Sequence, residues 1–481
     1  MESIWSKTTK IQERPALSSD LSVETAVIGG GMAGILIAFF LQQKGRKVIV
    51  LEADRIGGGQ TRNTTAKITS QHGLTYEKLI RKYGTEKAGL YARANEEAIQ
   101  KYQDIIEENN IDCDFERLPS YLYSTRERHK LEREAEAAAE LGLPATYVET
   151  VPLPFSTVGA VCFENQAQFH PLKFLKEISK KLEIFEKTMV YSVKGHKIVT
   201  NWGTVNAENI VFATHYPFPL VPGCYFLRQH QERSYIVAFS GIKKLDGMYY
   251  SIDKAGLSIR SAGDWTLLGG GAHRTGENES GGSYASIRAQ AKKYMPQGKE
   301  VAHWSAQDCK THDQLPLIGS YSRFRPYWYV ATGFEKWGMT FSMISAMIIS
   351  DRICGTENPY QKLFSPQRFH PLISACDLMI DVGISVRGLL TGYHVWTCMK
   401  EKDLENGHGG IVRKGFRRYA SYRDEAGNIH RISIRCPHMG CELLWNPDEL
   451  SWDCPCHGSR FDCDGNLIDN PAQKDKKEIL D

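Results

Sequence analysis

The chain has 481 residues, a length that corresponds to about three domain-sized units. Its hydrophobic fraction of 42% and its charged fraction of 24% are those of an ordinary globular protein with a sizeable core. The formal net charge is only +3, and no run of lysine and arginine reaches five residues. This charge pattern argues against nucleic acid as the main partner.

The sequence shows no signal for export or for membrane anchoring. Residues 1–21 are polar and lack the apolar core of a signal peptide. The most apolar stretch, 27–41, contains several glycines and is too short to span a bilayer. Most of the 12 cysteines lie scattered singly, as free thiols do in a reducing compartment. We therefore expect a cytoplasmic protein without a transmembrane anchor.

A dinucleotide-binding pattern lies near the start of the chain. Residues 24–28 are predicted to form a buried strand, and the turn 29–34 that follows has the spacing G-x-G-x-x-G. An apolar helix is predicted over 35–44 and a second strand over 47–51. The glycines allow a pyrophosphate to approach the helix N-terminus, and Glu52 is placed to accept a hydrogen bond from a ribose hydroxyl.

The segment 55–67 follows with a glycine-rich turn and then small hydroxylated residues. Such a segment suits a second surface that closes over a long, extended dinucleotide. A surface loop before a capped helix is the alternative interpretation. No second fingerprint of this kind is found, so the chain is not expected to bind two dinucleotides.

Helices and strands are predicted along the rest of the first two-thirds of the chain. Helices are predicted over 76–115 and 126–142, and strands over 155–163, 189–202 and 209–214. The helices carry charged residues with one apolar face, which is typical of solvated scaffold helices.

A β-rich region follows, and the α/β pattern resumes after it. Short alternating strands between 225 and 290 predict an antiparallel sheet inserted into an α/β frame. A buried strand over 327–332 then leads through the glycine-rich turn 333–340 into a helix over 341–353. This turn offers free N–H groups to an electron-rich carbonyl, although an ordinary strand-to-helix turn is the alternative.

The stretches VIGGGMAG…VIVLE, GGGQTRNTTAKIT, IVFAT and ATGFEKWGMT together resemble the D-amino-acid oxidase/glycine oxidase superfamily of FAD-dependent oxidoreductases, over residues 22–365. The resemblance implies an α/β FAD-binding Rossmann-like domain with an inserted, mostly antiparallel β-sheet substrate domain. It implies FAD contacts at the following positions: Gly29, Gly31, Gly34, Glu52, Ala53, Thr61, Thr65, Val190, Ala213, Gly333, Gly338, Met339 and Thr340.

Two short loops near the C-terminus each offer one thiolate and one imidazole. The first is Cys436-Pro-His438, and the second contains Cys454 and His457. Two cysteines and two histidines are the ligands of a Rieske [2Fe–2S] cluster, with the thiolates on one iron and the imidazoles on the other. A structural zinc site is the alternative, but its usual order of ligands is absent here.

The pattern C-x-H-x-G-C…C-P-C-H-G-S resembles the disulfide-bearing Rieske proteins of respiratory cytochrome bc-type complexes. The resemblance implies a small all-β domain over 404–481, after a connector over 366–403 that has room for one helix. It also implies these roles: Cys436, His438, Cys454 and His457 as ligands, Cys441–Cys456 as a disulfide, Ser459 as a donor to a cluster sulfur, and 470–472 as a loop covering the cluster.

The whole chain is thus similar to bacterial FAD-dependent oxidoreductases with a C-terminal Rieske domain. This implies oxidation of an amine, amino acid or hydroxy compound by hydride transfer to FAD, then single-electron transfer to the cluster and an external acceptor or donor protein. A dehydrogenase is favoured over an oxidase, because an oxidase needs only oxygen. A flavin monooxygenase fed by the cluster and a non-catalytic redox sensor or electron carrier are the alternatives.

The residues that bind substrate are the least defined part of the sequence. Amino-acid oxidases hold the substrate carboxylate with an arginine near a Tyr-x-x-Pro-Arg pattern, and 249–253 lacks that arginine. Arg260, His273 and Arg274 are candidates to replace it, and Tyr250 is a candidate hydrogen-bond donor. A structural or solvated role is the alternative for each.

A substitution at Phe461 tests the Rieske interpretation. The respiratory proteins carry tyrosine at this position, and its hydroxyl would stabilise the reduced, more negative cluster. If that stabilisation is about 1 kcal/mol, phenylalanine lowers the one-electron potential by roughly 40 mV. Phe461→Tyr is expected to raise the potential in a redox titration, and an unchanged potential would refute the hypothesis.

Overall fold

A computed structural model of the chain describes residues 2–368, 379, 383, 399–414 and 417–476. Most of the predicted connector, 366–403, lies outside the described residues; of those described, Met379 and Gly383 are helical and Glu401–Asp403 form a short 3-10 helix. The last residues of the predicted C-terminal domain, 477–481, lie outside them as well.

The described α-helices are α1 Ile4–Thr8, α2 Met32–Gln43, α3 Tyr76–Tyr83, α4 Thr85–Glu108, α5 Arg128–Glu140, α6 Pro171–Ile178, α7 Ser283–Tyr294, α8 Gly338–Ile353 and α9 Gln361–Phe364. The strands of the first half are β1 Leu21–Ile28, β2 Val48–Leu51, β3 Lys67–Ile68, β4 Glu116–Ser124, β5 Ala145–Val148, β6 Gly159–Gln168, β7 Glu183–Phe185, β8 Val190–Lys194, β9 Lys197–Thr200, β10 Thr204–Phe212 and β11 Gln229–Ser240.

The strands of the second half are β12 Met248–Ser251, β13 Ser258–Ala262, β14 Trp265–Arg274, β15 Lys299–Thr311, β16 Leu317–Ser322, β17 Arg325–Thr332, β18 Met399–Lys400, β19 Gly409–Lys414, β20 Arg417–Arg423, β21 Ile429–Ser433, β22 Leu444–Asn446, β23 Ser451–Asp453, β24 Arg460–Asp462 and β25 Leu467–Asp469.

The dinucleotide-binding frame is an eight-stranded sheet built around β1. Its main order is β16-β17-β10-β1-β2-β7, and β1 runs parallel to both β2 and β10. The residues 25–28 of β1 are buried, as expected of a parallel strand covered on both faces. Helices α2 and α8 pack together, and Ile35 of α2 and Ile344 of α8 are fully buried in the same core. The predicted α/β frame is therefore confirmed.

The second sheet is larger than the predicted insert. Its nine strands are ordered β15-β11-β14-β13-β12-β4-β6-β3, with β5 beside β6. Strands β3 to β6 precede the predicted span 225–290 and β15 follows it, so that span is too short. β12 and β4 are even parallel. Strand periodicity indicates where strands lie, but it does not show which distant strands pair.

Glycine residues divide two regions that the sequence pattern treats as single elements. The predicted helical region 76–115 is two helices, α3 and α4, separated at Gly84, whose φ of 82° is unfavourable for other residues. The predicted strand 189–202 is a hairpin of β8 and β9. Its turn includes Gly195, with a φ of 58°.

The C-terminal domain consists of two small four-stranded sheets, β18-β19-β20-β21 and β22-β23-β24-β25. All but one of the pairings within them are antiparallel. Its core contains the buried aromatic residues Trp445, Trp452 and Phe461. The predicted small all-β domain is therefore confirmed.

None of the helices within the described ranges combines the length and the apolar character that crossing a membrane requires.

The close contact between α2 and the turn that joins it to β1 yields a stability prediction. A Cβ at Gly34 would lie 1.9 Å from the carbonyl oxygen of Gly29, so Gly34→Ala must displace backbone. We expect the free energy of unfolding in urea to fall by about 1–3 kcal/mol.

Gly89 in α4 is the matched control. A Cβ there meets only the flexible guanidinium of Arg93, at 3.3 Å, and alanine favours a helix by up to about 1 kcal/mol. Gly89→Ala should therefore match or exceed the wild-type stability. Equal stability of the two variants would contradict the packing argument.

Candidate functional site

The glycine-rich turn forms a cradle between β1 and α2. A Cβ at Gly29 would lie 2.4 Å from the carbonyl oxygen of Ala213, so the backbone directly after β10 closes one side. The backbone N–H of Gly30 donates to the Glu52 carboxylate at 2.6 Å, and the Thr61 hydroxyl accepts from the N–H of Met32 at 2.9 Å. Burial raises the pKa of Glu52. This cradle of backbone, carboxylate and hydroxyl fits the ribose and pyrophosphate of a dinucleotide.

A second group of predicted FAD contacts lies at the start of α8. The Thr340 hydroxyl donates to the carbonyl of Thr69 at 2.9 Å and ties α8 to the chain beside β3. Gly338, Met339 and Thr65 line one cavity. The free N–H groups at the N-terminus of α8 therefore lie near the hydroxyl-rich loop, residues 61–65. This arrangement offers hydrogen-bond donors to the carbonyl groups of a flavin ring.

The remaining predicted FAD contacts occupy varied surroundings. Gly34 packs α2 against the turn. Val190 is buried at the start of β8, and Ala53 is exposed after Glu52. Gly333 directly follows β17 and has a φ of 71°. Glu52, Thr61 and Ala213 thus surround the turn 29–34. The predicted contacts Thr65, Gly338, Met339 and Thr340 instead lie around the start of α8.

A cavity of about 400 Å³ lies between the start of α8 and the nine-stranded sheet. Its lining combines aromatic and charged residues and includes Thr65, Lys67, Lys78, Ser234, Ile236, Tyr250, Ala306, Asp308, Lys336, Trp337, Gly338 and Met339. A concave site in which polar groups converge beside aromatic side chains suits a small, polar molecule.

Ionisable groups in this region have pKa values near neutrality. Burial lowers the pKa of Lys67 to about 7, and its ammonium group donates to the Ser258 hydroxyl. Burial raises the pKa of Asp308 to about 6 and that of the neighbouring Glu335 to about 7. Groups of this kind are able to exchange protons with a bound substrate at neutral pH.

The four candidate substrate residues have different positions. Tyr250 lines the cavity, and its ring meets that of Trp337 edge-on at 5.5 Å. Arg260 instead donates to the carbonyls of Thr65 and Ala66, at 2.7 and 2.8 Å. The Arg260 side chain therefore holds the hydroxyl-rich loop in place.

His273 and Arg274 do not appear in the cavity lining either. The Nδ1 atom of His273 lies 3.0 Å from the carbonyl of Gly271. Arg274 donates to the carbonyls of Pro455 and Cys456, at 3.1 and 3.3 Å, and so contacts the C-terminal domain. Of the four candidates, Tyr250 alone is positioned to contact a molecule in this cavity.

The four predicted cluster ligands lie in two close pairs in the C-terminal domain. The ring centroids of His438 and His457 are 4.9 Å apart, and the thiols of Cys436 and Cys454 lie close enough to shift each other's pKa. That contact lowers the pKa of Cys436 and raises that of Cys454. Both ring nitrogens of His438 are buried and lack a hydrogen-bond partner among the described residues. Buried donor atoms of this kind fit metal ligands.

Tight turns hold the two ligand loops. The N–H of Gly440 donates to the carbonyl of Cys436, and that of Gly458 donates to the carbonyl of Cys454, both at 2.9 Å. Both glycines have φ values above 80°. The Ser459 hydroxyl accepts from the N–H of Ala472 at 3.0 Å, which joins the second ligand loop to the predicted covering loop.

A disulfide joins Cys441 to Cys456, with Cα atoms 6.6 Å apart, as the resemblance implied. The sulfurs of Cys441, Cys454 and Cys456 lie within 4.8 Å of one another, a distance that also suits a shared metal. Because two of the three form the disulfide, only Cys454 of this group remains available as a ligand.

The C-terminal domain docks on the nine-stranded sheet through polar residues that the sequence pattern did not single out. The Gln231 amide donates to the carbonyl of His457 at 2.7 Å, and the Gln307 amide donates to that of Gly458 at 2.9 Å. Arg233 pairs with Glu449. The run QHQER at the start of β11 offered a signal, because a buried strand with this many polar residues requires a polar partner.

Comparison with known proteins agrees with this geometry. The family model described as "FAD dependent oxidoreductase" matches residues 24–352, and the model described as "Rieske [2Fe-2S] domain" matches residues 394–479. A "Putative Rieske 2Fe-2S iron-sulfur protein YhfW" of Bacillus subtilis is 35% identical, over 99% of this chain and 97% of its own length.

Two solved structures share the fold of the larger part of the chain. Glycine oxidase from Geobacillus kaustophilus has a TM-score of 0.62 at 20% identity and covers 73% of this chain and 100% of its own. L-proline dehydrogenase from P. horikoshii has a TM-score of 0.59 at 19% identity and covers 74% of this chain and 98% of its own.

The disulfide yields a prediction for the cluster domain. It closes a loop with a sequence separation of 15, and loss of such a crosslink costs about 3 kcal/mol of stability. The double variant Cys441→Ala/Cys456→Ala is expected to lose its iron–sulfur absorbance at a lower temperature than the wild type. Cys463→Ala, which removes a free thiol of the same domain, is the control. Equal loss temperatures in both variants would contradict the prediction.

Proposed function

Because the chain belongs to the FAD-dependent oxidoreductase family and carries a Rieske [2Fe–2S] domain, we propose that it is a dehydrogenase in which the cluster receives the electrons of substrate oxidation. When bound, FAD accepts a hydride and the cluster accepts single electrons. The observation that carries this proposal is the docking of the His457 loop on the same sheet that lines the cavity.

The cavity residues supply binding and proton transfer. Tyr250 and Trp337 form an aromatic wall that orients a small molecule and excludes water. Lys67 offers a positive charge to an anionic group of the substrate below a pH of about 7. Asp308, with a pKa of about 6, is largely ionised at neutral pH and accepts a proton from the group being oxidised.

Amines and amino acids are the first substrate classes to test, followed by hydroxy compounds. Glycine oxidase and L-proline dehydrogenase share the fold, and their names refer to amino acids. The lysine and carboxylate in one cavity suit a substrate that carries both an anionic and a basic group. An external one-electron carrier protein would reoxidise the cluster.

We place the protein in the cytoplasm. Cys113, Cys162 and Cys309 are free and buried, and further described cysteines outside the cluster loops are also free. Proteins that fold in oxidising compartments rarely keep so many unpaired thiols.

Anaerobic substrate screening tests the proposed function. The holoenzyme is mixed with amines, amino acids and hydroxy acids while the flavin and cluster absorbances are followed together. We expect flavin bleaching with one compound class, followed by cluster reduction in the same molecule. A His438→Ala variant without the cluster should keep the first phase and lose the second.

Three other outcomes would contradict the proposal. Flavin bleaching without cluster reduction would refute the internal transfer. The absence of bleaching with every compound would favour a redox sensor or electron carrier. Oxygen consumption coupled to hydroxylation of the substrate would favour a monooxygenase.

A further inference from the structure

Strand β15 separates two functional regions of the molecule. The side chains of Ala306 and Asp308 line the cavity. Those of Ser305 and Gln307 point to the other face, where Ser305 contacts Glu449 and Gln307 contacts the Gly458 carbonyl. Because successive side chains of a strand point to opposite faces, one strand serves both sites.

Strand β11 repeats this division beside β15. Ser234 and Ile236 line the cavity, whereas Gln231 and Arg233 contact the Rieske domain. The two strands are paired along their whole length. They form a wall one sheet thick, and structural layers across such a sheet are separated by about 10 Å. The His457 loop therefore lies one layer away from the cavity.

An amide pair joins the wall to the ligand loop. The Gln307 amide donates to the Gln231 side-chain oxygen at 2.7 Å, and both side chains are buried. The Gln231 amide also donates to the carbonyls of His457 and Asn470, at 2.7 and 3.1 Å. A Cβ at Gly458 would lie 2.7 Å from the Gln231 Cβ, so the loop approaches as closely as glycine allows.

A buried charge network fixes the domain behind this pair. Arg233 is 1% exposed and pairs with Glu449, while Arg460 pairs with Glu449, Asp453 and Asp469. Removing one member of such a network leaves an uncompensated buried charge, which is strongly unfavourable. The ligand loop is thus held in one position against the wall.

We propose that the Gln231–Gln307 amide pair positions the His457 loop for electron transfer from the flavin cavity, so that His457 is the ligand on the donor side of the cluster. This inference rests on the proposed function. Each transfer moves one electron from the reduced flavin to a ferric ion of the cluster, which becomes ferrous. An external one-electron acceptor must reoxidise the cluster between the two transfers, and the protons leave to solvent.

The test compares Gln231→Leu and Gln307→Leu with wild-type holoenzyme after anaerobic mixing with a substrate that bleaches the flavin. We expect an unchanged bleaching rate and cluster reduction slowed by about tenfold or more, since small displacements of reacting groups have effects of this size. The electron paramagnetic resonance spectrum of the dithionite-reduced cluster should be retained. Hydrogen exchange of the segment 454–460 should become faster.

Asn278→Ala is the matched control at the same interface. Asn278 donates to Asn446 and Asp448, at 3.1 and 2.9 Å, and both partners lie outside the two ligand loops. We expect this variant to reduce its cluster at the wild-type rate. Equal slowing in Asn278→Ala and Gln231→Leu would overturn the proposal, because docking as a whole would then set the rate.

Other outcomes are equally decisive. Unchanged cluster reduction in both leucine variants would overturn the proposal while leaving the proposed function intact. Failure of the wild-type cluster to be reduced would refute the proposed function itself. If the leucine variants lose the cluster, Gln307→Asn, which keeps the amide on a shorter side chain, is tested instead. Slowed cluster reduction with an unchanged spectrum would support the proposal. An unchanged reduction rate would overturn it.

Discussion

The structure depends on one buried ionic contact between its two functional parts. Arg233 belongs to a strand of the cavity wall, and its guanidinium pairs with Glu449 of the Rieske domain. Burial alone would raise the pKa of Glu449, but Arg233 and Arg460 outweigh burial and hold it at about 2. The carboxylate therefore stays charged at any physiological pH, and the contact persists. Buried charges are tolerable only when they are paired, so the two parts require a fixed relative position.

Local motifs made the cofactor sites predictable from the sequence. The turn 29–34 and the loops around Cys436 and Cys454 each place their functional groups within a few residues, where spacing determines geometry. The sheet between them was less predictable. β12 pairs with β4 across more than a hundred residues, and no periodicity encodes that choice. The polar residues at the start of β11 indicate a polar partner, but no sequence pattern shows that this partner is the C-terminal domain.

The substrate residues show why residue type alone is a weak guide. Arg260 has the chemistry to bind a carboxylate, but the residue is only 2% exposed and its guanidinium donates to backbone carbonyls. Lys67 belongs to the segment 55–67 that was predicted to close over the dinucleotide, but it was not among the candidate substrate residues. Its position in the cavity follows from the pairing of β3 with β6, which is another long-range contact. Burial then gives it a pKa that no sequence pattern encodes.

The disulfide is compatible with the proposed cytoplasmic location for a physical reason. Reduction of a disulfide requires a thiolate to reach one sulfur, and Cys441 and Cys456 are each 2% exposed. Trp445 and Phe461 belong to the same core cluster as the two cysteines. Glutathione or thioredoxin can therefore reach the disulfide only after the domain opens. The contacts between this domain and the nine-stranded sheet oppose that opening. The same interface that brings the ligand loop close to the cavity therefore also protects the crosslink that shapes the loop.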